Sequence, residues 1–149
     1  ATSKLAQLFR FIETDQLSEI TRLIEEGVDL SERYEDGDMA IHWAARLGKA
    51  DTVKLLIENG ANVNARGQYN RTPLYYAVDS PEATKLEVVK VLLENGANVD
   101  VKDDYGSTPL AKAAQIGHKK IVEQLIKNGA NINLKAWLGR SPLVEASEH

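Results

Sequence analysis

The side chains that most often perform catalysis or bind metals are few in this sequence and far apart. Its 149 residues include no cysteine and only three histidines, His42, His118 and His149. Without cysteine the chain forms no disulfide, thiolate nucleophile or cysteine-ligated zinc site. The histidines form no His-x-x-x-His pair and no cluster with acidic residues at metal-ligand spacing. We therefore expect no metal site, no cofactor and no catalytic residue, and the protein is not expected to be an enzyme.

Two pairs of carboxylates lie near predicted turns, Asp36 with Asp38 and Asp103 with Asp104. Paired carboxylates can act as general acid and base or bind calcium. Neither pair has the spacing of a calcium-binding loop, so we interpret all four as solvated turn residues. No pair of glycines has the spacing of a phosphate-binding loop, and no serine lies in a Gly-x-Ser-x-Gly turn.

Composition and charge narrow the class of partner. The chain is 43% hydrophobic and 27% charged, which is typical of a soluble globular protein. It has no apolar run long enough for membrane insertion. A formal net charge of −4 argues against nucleic-acid binding. The charge is uneven, −6 over residues 1–40 and +2 over 41–149. The acidic end could steer a basic partner or could serve solubility alone.

Two short phrases recur in one register along the chain. The first ends a helix at Gly27, Gly60, Gly96 and Gly129, which are 33, 36 and 33 residues apart. The second is Thr-Pro-Leu or a variant of it, and it begins at Met39, Thr72, Thr108 and Ser141. Thr can cap a helix and Pro fits its first turn, whereas Gly suits the left-handed residue after its end. Each unit is therefore predicted to hold two helices and to bury its apolar face against its neighbours.

Apolar residues recur at helical spacing in each predicted second helix. They are Val53, Leu56 and Ile57, then Val89, Leu92 and Leu93, then Val122, Leu125 and Ile126. Small residues such as Ala44, Ala45 and Ala113 occupy the inner face of the first helices, where neighbouring helices approach closely. Gly48 and Gly117 are predicted to end two of those first helices.

A 33-residue unit with a Thr-Pro-Leu start and a Gly-Ala-Asn-Val-Asn end resembles the ankyrin repeat. The resemblance covers residues 5–149 and implies one all-α domain, a solenoid of stacked helix-turn-helix units with β-hairpin-like loops. About four full units and a partial one are expected. Their bounds are 5–32 for an N-terminal capping unit, 33–65, 66–101 with a three-residue insertion, 102–134, and 135–149 for the partial unit.

Several positions depart from the family pattern. The insertion lies around Asp79–Glu82, where Ser80 and Pro81 are predicted to cap and begin a lengthened second helix. The insertion itself is predicted to protrude on the side of the loops between the helices, away from the hairpins. Asn70 stands where the family has a turn glycine, and Asn is the next best residue for a left-handed turn. The last unit stops at His149 inside its first helix, so either residues are missing or something else covers that end.

The resemblance also implies roles for particular side chains. The His42 imidazole is expected to bond to the backbone of the adjacent turn, and His118 to begin a second helix. Hairpin tips and first helices are expected to line a concave surface that binds a partner protein. The aromatic residues predicted on that surface are Trp43, Tyr69, Tyr76, Tyr105 and Trp137. The charged residues predicted there are Glu35, Asp36, Asp38, Arg46, Arg71, Asp104 and Lys112.

Five of the nine aromatic residues thus fall at predicted partner-facing positions. Trp and Tyr dominate binding hot spots, so we interpret these five as recognition residues that the core does not need. The alternative is that they shield the hairpin tips against one another. The other four, Phe9, Phe11, Tyr34 and Tyr75, are predicted to be structural.

The sequence therefore predicts a non-enzymatic protein-binding module that acts through its concave groove and is monomeric when free. Two narrower functions stay open: a dedicated inhibitor or protective, immunity-type protein that blocks the active site of a partner enzyme, and a docking domain of a longer chain. An enzyme or small-molecule binder would need converging ionisable groups, which the sequence does not offer. We expect a soluble protein, cytoplasmic by default. The resemblance includes exported bacterial members, so a periplasmic location would follow if a leader preceded Ala1.

Overall fold

Four pairs of α-helices follow one another in the computed structural model, which describes residues 3–34, 36–79 and 85–131. The bounds are Lys4–Glu13 for α1, Leu17–Glu25 for α2, Ala40–Arg46 for α3, Ala50–Glu58 for α4, Pro73–Val78 for α5, Lys85–Glu94 for α6, Pro109–Ile116 for α7 and Lys119–Lys127 for α8. No β-strand occurs in these three ranges, so the predicted all-α class is confirmed. Within the same ranges, no helix combines the length and the apolar character needed to cross a membrane.

The helices stack in two layers. The first helices, α1, α3, α5 and α7, each contact the next, and the second helices α4, α6 and α8 do the same. Between the layers lie fully buried side chains from every unit, among them Leu8, Ile20, Ile41, Leu56, Leu74, Leu92, Leu110 and Leu125. Ala44, Ala45, Ala77 and Ala113 are also completely buried, which lets the first helices approach one another closely. The stacked solenoid predicted from the repeat is therefore confirmed.

The predicted helix ends are confirmed at the glycines. Gly60 follows α4 with φ of 96°, and the Ala61 N–H then donates to the Leu56 carbonyl at 2.9 Å, which satisfies a carbonyl that the helix leaves unpaired. Glycines at the same place in the other units, Gly27, Gly96 and Gly129, have the same left-handed backbone. Ile126 differs from its equivalents in the second helices, since it is 42% exposed.

Helix starts follow the predicted cap in one unit but not in another. The Thr108 hydroxyl accepts from the Ala111 N–H at 3.2 Å, as a capping residue should. The Thr72 hydroxyl is buried and has no hydrogen-bond partner among the described residues, so the cap predicted there is wrong. At the third start, the Met39 N–H donates to His42 Nδ1 at 3.0 Å.

Three loops, which we call fingers, join each unit to the next first helix: finger A at 33–38, finger B at 66–71 and finger C at 102–107. One backbone hydrogen bond of 2.9 Å closes each finger, donated by the N–H of Tyr34, Gly67 or Asp103. Arginines link the fingers in series, because Arg33 donates to the Arg66 carbonyl and Arg66 to the Lys102 carbonyl. The fingers are therefore held to one another as well as to the helices.

Parts of the sequence prediction lie outside the described residues. These are the cap and protrusion predicted for residues 80–84, and the partial unit at 135–149.

Candidate partner-binding surface

The fingers and the first helices share one side of the stack, which we call the finger surface. Tyr76 of α5 and Arg46 of α3 both reach Asp38 of finger A. Farther along, Lys112 of α7 forms an ion pair of 3.3 Å with Asp79, the residue after α5. Most of the residues predicted to bind a partner lie on this surface, while Glu35 and Trp137 lie outside the described residues.

Asp38 is not at an exposed tip, so that prediction is wrong. Its side chain is completely buried, and Oδ1 accepts from the Tyr76 hydroxyl at 2.6 Å and from the Gln68 N–H at 3.0 Å. Arg46 Nη2 lies 3.6 Å from the other carboxylate oxygen, an ion pair without a hydrogen bond. Gly67 makes room for this carboxylate, because a Cβ there would lie 2.5 Å from Asp38 Oδ1. Asp38 therefore joins finger A to finger B and α5.

Tyr76 is also buried, at 3% exposure, which corrects the prediction that it faces a partner. The Arg46 guanidinium lies over its ring, 4.9 Å from the centroid, and the His42 and Tyr76 rings form a T-shaped pair with centroids 5.3 Å apart. Burial, together with the bond to Asp38, raises the pKa of Tyr76, so its hydroxyl stays protonated and donates. The equivalent position of the next unit holds Lys112. A tyrosine at this position is therefore particular to this unit, where it packs against the unit before it.

His42 has the role that the resemblance implies. Its Nδ1 accepts from the Met39 N–H, so Nε2 must carry the proton that bonds to the Ala65 carbonyl at 2.8 Å. Burial lowers the pKa of His42, outweighing the Ala65 bond and the negative charges of Asp38 and Asp36. A neutral imidazole therefore fixes the start of α3 to the end of the same unit.

Two exposed tyrosines form what we call the tyrosine platform, together with the arginine beneath them. Tyr69 is 46% exposed and Tyr105 is 70% exposed, and their ring centroids are 5.6 Å apart. The Arg71 guanidinium lies 5.1 Å from the Tyr69 centroid, 5.9 Å from that of Tyr105 and 4.7 Å from that of buried Tyr75. Arg71 Nε donates to Asp103 Oδ2 at 2.9 Å, which holds the guanidinium in place.

The backbone under the platform is unusual. Tyr69 and Asn70 both have left-handed φ values, 56° and 63°. The prediction of a left-handed Asn70 is confirmed, but a bulky residue such as Tyr69 seldom adopts this conformation. The Asp104 N–H donates to the Tyr69 carbonyl at 2.9 Å and ties finger B to finger C at this point. Such strain persists where surrounding contacts over-determine it, and it is often found at functional sites.

The carboxylates of finger C divide into two kinds. Asp104 is exposed, as expected of a turn residue. Asp103 is buried at 7% exposure, and it accepts from the N–H groups of Tyr105 and Ser107, each at 2.9 Å, as well as from Arg71. The interpretation of Asp103 as solvated is therefore wrong. In the part of the chain that the structure describes, no three acidic or histidine side chains come close enough to hold a metal ion.

A second feature, which we call the aromatic groove, lies between α1, finger A and α3. Its volume is about 360 Å³, and its lining residues are Ala6, Phe9, Arg10, Glu13, Tyr34, Asp36 and Trp43. The Phe9 ring stacks on Tyr34 at 4.7 Å and lies 6.1 Å from Trp43, which is partly buried. The sequence prediction included Trp43 and Asp36 among the partner-facing residues, but it missed the α1 residues and assigned Tyr34 a structural role. Their spacing at 6, 9, 10 and 13 along one helix face was the available signal.

A repeating stack of helix pairs, joined by interlinked fingers on one side, defines a solenoid repeat protein. A family model described as ankyrin repeats (3 copies) matches residues 8–103 and 82–149. The chain belongs to the ankyrin repeat family, whose repeats are protein–protein interaction modules without catalytic activity.

Several curated proteins share segments of this sequence. A transient receptor potential cation channel subfamily A member 1 homolog of Caenorhabditis elegans is 50% identical over 46 residues, which is 31% of this chain and 4% of that protein. The NF-kappa-B inhibitor cactus of Drosophila melanogaster is 42% identical over 52 residues, 34% of this chain and 10% of that protein. Human neurogenic locus notch homolog protein 2 is 42% identical over 60 residues, 40% and 2% of the two chains. The chain thus spans a small fraction of each of these relatives.

Proposed function

We propose that this protein binds a partner protein through the finger surface, with the tyrosine platform as the principal contact. The observation that supports the proposal is the exposure of two fixed aromatic rings, 46% for Tyr69 and 70% for Tyr105. Large exposed tyrosines contribute strongly when a partner buries them, because they bring much contact area at a small loss of side-chain freedom.

The platform is organised before any partner arrives. Arg71 is held by Asp103 beneath both rings, and the Tyr69 backbone is held by finger C. Groups fixed in their bound arrangement lose less entropy on binding. The alternative, that the rings only shield the fingertips, accounts for their mutual contact at 5.6 Å but not for the large area that both rings leave exposed.

The test begins with affinity purification from the native source and identification of the captured proteins by mass spectrometry. The purified partner is then titrated against the wild-type chain and against the Tyr69→Ala/Tyr105→Ala double variant. Each substitution should weaken binding by about 1–4 kcal/mol. Ile126→Ala is the matched control, since Ile126 is an exposed apolar residue of α8, outside the finger surface. Equal affinity for the wild type and the double variant would remove the platform from the proposal.

A dedicated inhibitor is a narrower form of the same proposal. Its support is the similarity to the NF-kappa-B inhibitor cactus, which extends over 34% of this chain. If the captured partner is an enzyme, adding the wild-type chain should abolish its turnover. Adding the double platform variant instead should leave the enzyme active. An enzyme that stays active in the complex would instead favour a docking module.

A further inference from the structure

We propose that the aromatic groove binds an arginine side chain of the partner protein. The inference rests on the proposed function, because it assigns a chemistry to one further contact of the finger surface. The groove shares no residue with the tyrosine platform, so the two contacts can be tested separately.

The floor of the groove suits a guanidinium. Phe9, Tyr34 and Trp43 bring three aromatic rings to a space of about 360 Å³, which can hold one long side chain. A planar guanidinium stacks on aromatic faces, while its aliphatic stem covers apolar surface. The protein already uses this contact internally, since Arg46 lies 5.3 Å from the Trp43 ring centroid.

The rim of the groove supplies the complementary charge. Glu13 and Asp36 line it, both are exposed, and neither forms an ion pair with another described residue. Asp36 Oδ1 does accept from the Asp38 N–H, which keeps this carboxylate in a fixed place. The first 40 residues carry a formal charge of −6, so the surrounding potential also attracts a cation. A guanidinium fork matches a carboxylate better than an ammonium does.

Arg10 also lines the groove, and its charge opposes the proposed ligand. Two carboxylates against one guanidinium leave the lining with a net negative charge. Arg10 should therefore weaken the binding of an arginine side chain, while Glu13 and Asp36 should strengthen it. Removing Arg10 should strengthen the binding of an arginine, whereas removing Glu13 or Asp36 should weaken it.

The test is a nuclear magnetic resonance titration of the isotope-labelled full chain. The probe is the pentapeptide acetyl-Gly-Gly-Arg-Gly-Gly-amide, and the control peptide carries citrulline, the uncharged isostere, in place of arginine. The reporter is the Trp43 indole N–H signal, which a Trp43→Phe variant distinguishes from that of Trp137, the other tryptophan. The arginine peptide should shift this signal at millimolar concentration, and the citrulline peptide should shift it far less.

Three conservative variants complete the test. Glu13→Gln and Asp36→Asn should each raise the dissociation constant of the arginine peptide about two- to fivefold, and Arg10→Gln should lower it by a similar factor, as expected for exposed charges. Asn at position 36 can still accept from the Asp38 N–H, and unchanged backbone signals elsewhere verify that each variant is folded. No shift with the arginine peptide, an equal shift with citrulline, or a dissociation constant that ignores these substitutions would each overturn the proposal.

The outcome is independent of the platform experiment, because the peptide titration needs no partner protein. If the peptide does not bind while the platform variants still lose the partner, the arginine proposal fails and the proposed function stands. If the peptide binds but the platform variants keep full partner affinity, the platform fails as the principal contact and the groove remains an arginine-binding site.

Discussion

At the scale of single residues, one position in the fingers carries opposite charges in successive units. Asp38 and Arg71 both hold the last place of their finger, and both side chains point to the second residue of the next finger. Asp38 fills the space over Gly67 and accepts the Gln68 N–H, whereas Arg71 donates to Asp103. The junction between fingers A and B therefore places the acidic Asp38 over Gly67. The equivalent junction between fingers B and C pairs the basic Arg71 with Asp103.

The Tyr76 hydroxyl should contribute measurably to stability, because it is one of two hydrogen-bond donors to a buried carboxylate oxygen. Tyr76→Phe should lower the free energy of unfolding by about 1–3 kcal/mol, the cost of losing one hydrogen bond to a buried charged group, although the Gln68 N–H still donates to the same oxygen. Tyr105→Phe is the control: that residue is 70% exposed, and its change should stay within about 0.5 kcal/mol. Urea denaturation measures both variants, and equal small changes would contradict the role given to Tyr76.

Protonation of His42 should destabilise the fold. Its folded pKa lies below the ordinary 6.5 because of burial, so below that pH the unfolded chain binds more protons than the folded one. The stability that neutral His42 contributes to the folded state is fully present above about pH 6.5, and it is lost as the pH falls toward the folded pKa. A proton on Nδ1 would also face the Met39 N–H.

Unfolding free energies of wild type and His42→Gln, measured between about pH 5 and pH 7.5, test this coupling. The wild type should become more stable as the pH rises, and the variant should lose that part of the slope while being less stable overall. Asp38, Asp36 and Arg33, the charged groups that act on the pKa of His42, are present in both proteins. Identical slopes would show that His42 is not the group responsible.

At the scale of elements, the fingers are held by close backbone approach as well as by side chains. Gly67 begins the turn of finger B, where an added Cβ would lie 2.5 Å from Asp38 Oδ1 and 3.0 Å from His42 Nε2. Both neighbours are completely buried and hydrogen-bonded, so neither can move without losing a partner. Finger B, finger A and α3 therefore meet at a point where even the Cβ of an alanine would force a neighbour to shift.

Gly67→Ala should therefore destabilise the protein by about 1–3 kcal/mol, the usual range for overpacking. Gln68→Ala, a change at the next and exposed position, leaves the backbone N–H that Asp38 accepts and should cost less than about 0.5 kcal/mol. Thermal or urea unfolding compares the two. A Gly67→Ala protein as stable as the Gln68→Ala protein would mean that the junction can relax.

The helices and their ends were predictable because they depend on local and periodic signals. Apolar spacing, the glycines after α4, α6 and α8, and the left-handed Asn70 all recur with the repeat. The contacts of Asp38 and Tyr76 were not predictable in this way, because they join positions 38 residues apart and depend on the missing side chain at Gly67. Periodicity assigned both residues to the exposed positions of an average unit. Asp38 and Tyr76 are buried instead because this chain departs from the average unit, with no side chain at Gly67 and a tyrosine at position 76.

At the scale of the whole molecule, the stack gains its stability from neighbours rather than from any one unit. Each first helix contacts the next first helix, and the fingers are linked by Arg33 and Arg66. Asparagines add a second set of links, since Asn64 donates to the Gly96 carbonyl and accepts from the Asn98 N–H. The described units should therefore unfold together, and damage to the core of one unit should lower the stability of its neighbours.

Leu56→Ala tests this coupling, because Leu56 is fully buried in α4 and α4 packs against both α3 and α6. The variant should lose about 2–5 kcal/mol of unfolding free energy, from lost apolar burial and the cavity left behind. Ile126→Ala removes apolar carbons from a 42% exposed residue and should cost clearly less.

Urea unfolding of both variants, followed by far-ultraviolet circular dichroism, should give a single transition that moves to lower urea for Leu56→Ala. A second transition, with part of the helical signal kept at the wild-type midpoint, would mean that the units unfold independently. A partner contact that spans several units would then not be held by one rigid stack.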